Sequence, residues 1–163
     1  MDKITENPIL KDMLTPDFTI GKTHFKITKL SAMDGFYLFE RIRYDLAQSA
    51  PAAKEITEAE GINIFIKSVL GLPPEKLETY RRTLFKNIVY KTASVDGFVT
   101  LLDAEDMAFE GMNPSAIYGV LGRALLVNFF ESLKDDLYDF LLEIKQSFME
   151  SNPQTSPIFS HQS

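Results

Sequence analysis

Between Asp17 and Ile27 apolar and polar residues alternate: Phe18 and Ile20 have polar neighbours, Gly21-Lys22 supplies a turn, and Phe25 and Ile27 resume the pattern before Leu30. A period of two interrupted by a tight turn predicts a β-hairpin with one apolar face. Ser31 then stands where an N-cap hydroxyl would accept from Met33 or Asp34, and Asp34 puts negative charge at the positive end of a helix. That helix is expected to run to about Ala47. Its apolar residues, Met33, Phe36, Tyr37, Leu38, Phe39, Ile42, Tyr44 and Leu46, cover more than one stripe. A helix coated on several sides is either deeply buried or shared with another chain.

After Ser49-Ala50-Pro51, Thr57 and Glu60 form a capping-box pattern, and Ile62, Phe65, Ile66, Val69 and Leu70 give one helical face that ends at Gly71 and Pro73. Pro74 suits the first turn of a third helix with the face Leu77, Tyr80, Leu84, Phe85 and Ile88, and with Lys86 and Lys91 at its C-terminal end. Val95 and Phe98 flank Asp96-Gly97, which predicts a second short hairpin on a type I′ turn. The acidic stretch from Asp103 to Gly111 leads to Asn113-Pro114, an N-cap and a first-turn proline. Beyond it Ile117, Leu121, Leu125, Phe129, Leu133, Leu137, Leu141, Ile144 and Phe148 recur every three or four residues. Unbroken, this helix would be about 54 Å long, against roughly 30 Å for a domain of this size. It is expected to break, bend or project, with Asn128 and the run Glu131 to Asp136 as the place for a break.

The predicted fold class is therefore α+β and mostly helical, with an N-terminal hairpin, amphipathic helices, a short second hairpin and a long C-terminal helix. We expect a flexible arm over 1–16, one domain over 17–150 and a disordered tail over 151–163, where SNPQTSPIFSHQS is polar and contains proline. At 163 residues the chain can bury one sizeable core. The absence of cysteine removes disulfides, thiolate metal sites and cysteine nucleophiles, and fits a reducing compartment. A net charge of −6 without a long basic run disfavours duplex binding, so no nucleic-acid partner is expected. The N-terminal residues lack a basic segment followed by an apolar core, and the longest apolar runs, such as Ala124 to Val127, are far below the roughly 20 residues of a bilayer span. No membrane partner is expected.

Candidate chemistry is sparse. His24 and His161 are the two histidines, and neither has a second convergent group in sequence. Asp103, Glu105 and Asp106 carry oxygen ligands, but without the spacing and central glycine of an EF-hand loop they read as a solvated loop or an acidic first turn. Nucleotide-binding glycine patterns and a Gly-x-Ser-x-Gly elbow are absent. Gly119 and Gly122 fall inside the predicted last helix and point to the close approach of another backbone or to a kink. We expect no catalytic residue, no metal and no cofactor.

The order of parts carries more information: FTIGKTHFKITKLSAMDG, then LPPEKLETYRRTLFKNIVY, a VDG turn, an acidic stretch with Phe109, and LGRALLVNFFESL. Over roughly 17–133 this resembles the tail assembly chaperones of tailed bacteriophages, small acidic proteins with an N-terminal hairpin followed by helices. In that family a strand, a Gly-Lys turn, a second strand and Lys-Leu precede a helix, which falls here on Phe18 to Gly35, and a Val-Asn-Phe phrase falls on Val127 to Phe129. The resemblance implies a non-enzymatic protein of the host cell cytoplasm, missing from the mature virion. It would bind the tape measure protein and keep it soluble, self-associate as a homo-oligomer, and have a longer frameshifted form. Exposed apolar helix surface on a charged body is what such a holdase needs, and Phe36, Phe39, Phe129, Phe130, Leu137 and Leu141 are the candidate client or self-association surface. The alternative is a structural tail or baseplate component, or an adaptor, retained in the particle; a small enzyme built from residues distant in sequence is a third class.

Overall fold

The structure is a computed structural model that describes residues 8–48 and 58–151, with side chains for 8–48 and 61–133. The capping-box residue Thr57 and the expectations for 1–7 and 152–163 lie outside the described residues.

The hairpin forms as its alternation predicts. Strands β1 (Asp17–Ile20) and β2 (Thr23–Ile27) pair antiparallel with Phe18 opposite Phe25 and Ile20 opposite Thr23. Gly21 adopts φ +57°, the left-handed value that a two-residue type II′ turn requires at its first central position. Helix α2 (Ala32–Ala47) starts where the side chain of Ser31 accepts from the Asp34 N–H at 3.2 Å. Helices α3 (Glu58–Leu70) and α4 (Pro74–Phe85) follow, with proline in the first turn of α4.

Helix α4 stops short of its expected end. Ile88 and Lys91, read above as part of it, belong instead to strand β3 (Ile88–Lys91), which pairs with β2 so that Ile27 faces Ile88 and Phe25 faces Tyr90. The Thr28 N–H donates to the Asn87 carbonyl at 2.8 Å, extending the ladder past the strand end. Without β3, one edge of β2 would be a row of unpaired backbone groups beside the core, a larger penalty than ending a helix one turn early.

The second hairpin exists with a different turn. Its strands are β3 and β4 (Val99–Thr100), paired Val89 to Thr100 and Tyr90 to Val99, and residues 92–98 form the loop. A type I′ turn needs positive φ at both central residues. Among the described residues only glycines have positive φ, Gly97 at +73°, so Asp96 does not adopt it. The two hairpins make one four-stranded sheet in the order β1-β2-β3-β4.

A 3₁₀ turn (Leu101–Asp103) and α5 (Glu105–Ala108) lead to α6 (Ser115–Ser151). The backbone of α6 is helical throughout, through Gly119, Gly122 and Asn128, so of the expected alternatives the break is the one that does not occur. Asn128 spends its side chain elsewhere: Nδ2 donates to the Ala124 carbonyl and Oδ1 accepts from the Leu30 N–H, both at 2.8 Å. A residue expected to compete with the helix thus ties the β2–α2 connection to it. At Gly122 an added Cβ would make an ordinary 3.7 Å contact with Cγ2 of Ile66, and at Gly119 it would meet nothing within 4 Å, so neither glycine marks the close approach of another backbone.

The core lies between one sheet face and the helices. Phe25 is fully buried, with its ring 5.3 Å from Phe18, 6.4 Å from Tyr90 and 5.6 Å from Phe109. Buried Ile62, Phe65 and Val69 of α3 and Leu38, Ile42 and Leu46 of α2 join Val120, Leu121, Ala124, Leu125 and Phe129 of α6 in one cluster. Each fully buried side chain of this size contributes about 1.5–3 kcal/mol. Within α6, Ser115–Leu133 has the length and apolar composition of a membrane span, but half of that window is buried inside the fold. The expected arm carries a short helix, α1 (Pro8–Met13), whose Leu10 and Met13 pack beside Leu14 on the core.

Candidate functional site

The apolar residues of α2 divide between two sides. Leu38, Ile42 and Leu46 are buried at intervals of four, whereas Met33, Phe36, Tyr37 and Tyr44 are 56–65% exposed. At 100° per residue Met33, Tyr37, Glu40 and Tyr44 fall on one stripe about 16 Å long, with Phe36 at its margin. The Phe36 and Tyr37 rings meet edge to face at 5.7 Å. Scattered exposed apolar residues are ordinary, but four on one helix side form a patch of the kind that meets a partner. Glu40, within the stripe, pairs with Arg43 at 3.1 Å.

The other candidate surface residues are placed differently. Phe129 and Phe130 are 4% and 5% exposed, so both belong to the core and present no surface to a partner. Helix α6, which carries both, packs against α2 and α3. Phe39 is half-buried with its ring 5.2 Å from Phe129. Leu137 and Leu141 lie on the part of α6 described by backbone alone. Of the expected surface, Phe36 is exposed and gains Met33, Tyr37 and Tyr44 as neighbours.

Beneath the stripe α2 is fixed to α4 by a polar cluster that sequence reading missed. Asp45 is 3% exposed and accepts a hydrogen bond from the fully buried Tyr80 hydroxyl. Lys76 Nζ stands 3.4 Å and Arg41 Nε 3.8 Å from its carboxylate. Burial, then the hydrogen bond to Asp45, hold the Tyr80 hydroxyl proton well above the usual tyrosine range. A lone Asp at the helical spacing of Leu38 and Ile42, on the buried side of the helix, was the available signal, since a carboxylate is buried only with partners.

The chemical candidates resolve into local pairs. His24 Nε2 lies 2.5 Å from Asp17 Oδ1 and its Nδ1 lies 3.1 Å from Thr19 Oγ1, which places a Thr-His-Asp trio on the outer sheet face. All three are on a solvent-facing surface, with His24 and Asp17 side chains 40% and 47% exposed. Glu105 is engaged by Arg81 through both carboxylate oxygens. No group of three His, Asp or Glu side chains among the described residues is placed to hold a metal ion. A cleft of about 580 Å³ lies between the Gly21-Lys22 turn, Thr92 to Ser94 and Glu110 to Met112. Lys22 and Glu110 are the charged residues that line it. Among the described residues every buried side-chain nitrogen or oxygen has a hydrogen-bond partner.

Comparison of the chain with protein-family models, curated proteins and solved structures gave no match.

Proposed function

We propose that the chain is a tail assembly chaperone of a tailed bacteriophage, a non-enzymatic protein of the infected cell's cytoplasm. It binds the tape measure protein and keeps it soluble while the tail forms, then leaves before the virion matures. The resemblance of residues 17–133 motivates this reading. The observation that carries it is the apolar stripe on α2, where Met33, Phe36, Tyr37 and Tyr44 stand exposed on a helix anchored from behind by the Asp45–Tyr80 contact.

A holdase stabilises an aggregation-prone client by covering its apolar segments, and a rigid aromatic surface does so at low entropic cost. The charged residues around the stripe keep the free protein in solution. Co-expression of the full chain with the tape measure protein tests this. The expected result is a soluble complex, with client solubility lost when Phe36 and Tyr37 are replaced by Ser. Insoluble client with wild-type chain, or equal rescue by the double variant, overturns it.

A further inference from the structure

Helix α1 is held to the rest of the fold in an unusual way. It contributes no buried residue, yet Leu10, Met13 and Leu14 rest against the core at the spacing of one helical face. Arg123 of α6 donates to the Asp12 carbonyl through Nη1 and to Asp12 Oδ2 through Nη2, both at 2.8 Å. The same guanidinium lies 4.4 Å from the centre of the Phe18 ring on β1. Arg123 is 16% exposed while Asp12 is 69% exposed, so the cation is built into the fold and the anion is brought to it.

A six-residue helix is too short to persist in water by itself. An ion pair with one exposed member adds little, and segments with few buried contacts open at the low end of the local stability scale. The seam where α6 meets β1 therefore holds a weakly retained amphipathic segment of this same chain. We infer that α1 is an internal stand-in for a client: the seam is a docking site for a short amphipathic helix with apolar residues at i, i+3 and i+4 and a carboxylate at i+2. The carboxylate meets Arg123, the apolar residues cover Phe18 and its surroundings, and a client displaces α1.

That the displacing helix belongs to the tape measure protein rests on the function proposed above; the site itself does not. The probe is a labelled synthetic peptide of residues 6–16, so loss of the site and loss of the chaperone reading are separate results. It is titrated by fluorescence anisotropy into full-length wild-type chain and into Asp12→Arg, with deuterium exchange followed in both. In Asp12→Arg, exchange over 9–15 should rise at least tenfold while β2 and β3 stay protected. The peptide should bind this variant at least tenfold more tightly than wild type, whose own α1 fills the site. Adding Arg123→Ala, or using a peptide with Leu10→Ser, should abolish binding. The inference is overturned if α1 in Asp12→Arg stays as protected as β2. It is equally overturned if the peptide fails to bind a chain whose α1 has opened, or binds wild type and variant alike.

Discussion

Replacing Tyr80 by Phe removes one oxygen from the centre of the fold and leaves its volume almost unchanged. The hydroxyl lost is the donor to Asp45, and a hydrogen bond to a charged group contributes about 1.5–3 kcal/mol. Asp45 is not abandoned in this variant, because Lys76 and Arg41 remain 3.4 and 3.8 Å away. Both cations are partly solvated, with 40% and 56% of their side chains exposed, so they neutralise the carboxylate without replacing a short directional bond. The expected loss is therefore near the lower end, about 1.5–2 kcal/mol. For a chain of this length each kcal/mol lowers Tm by roughly 2–4 °C, which gives a fall of about 3–8 °C. Urea titration with circular dichroism detection, together with a Tyr80→Phe and Asp45→Asn double-mutant cycle, measures the coupling directly. A change below about 0.5 kcal/mol with no coupling would refute the view that this contact fixes α2 to α4.

Alkaline stability carries the same cluster's signature. Burial raises the pKa of both Tyr80 and Tyr90 from the ordinary value of 10.0, so both are protonated in the fold at a pH where the unfolded chain has begun to ionise. Their contribution is complete below pH 10 and declines above it, by up to about 1.4 kcal/mol per pH unit for each tyrosine. Chemical denaturation from pH 8 to 11 should show that decline, and a flatter profile in Tyr80→Phe. Asn128→Ala leaves the Leu30 N–H without its acceptor and should cost about 1–3 kcal/mol, read as a lower urea midpoint at unchanged slope. Phe129→Ala should cost about 3–5 kcal/mol, while Phe36→Ala, on the solvent side of α2, should stay within about 0.5 kcal/mol of wild type. Similar losses in the two thermal melts would contradict their assignment to core and surface.

Local patterns were legible in the sequence where one interaction dominates. The hairpin from Asp17 to Ile27 and the Ser31 cap are set by alternation, a glycine turn and one hydroxyl, all within a few residues. Long-range partners were not legible. Ile88 fits the helical spacing after Leu84 and Phe85, and only the presence of β2 makes it a strand residue; the run Ile88-Val89-Tyr90 was the local hint. Asn128 reads as a helix breaker until Leu30, distant in sequence, supplies the N–H it accepts. The candidate surface divided for the same reason. A helical face carries no label for inside or outside, so Phe36 and Phe129 looked alike until α2 packed on α6 and buried one of them.

The central claim is that the exposed stripe on α2 serves a tape measure client. Affinity purification of the tagged full chain from cells producing the complete set of phage tail proteins, with bound proteins identified by mass spectrometry, tests it most directly. The account predicts recovery of a very long tape measure protein by wild-type chain and its loss with Phe36→Ser and Tyr37→Ser. Recovery of tube or baseplate proteins alone would contradict the account and place the chain among the structural components of the tail.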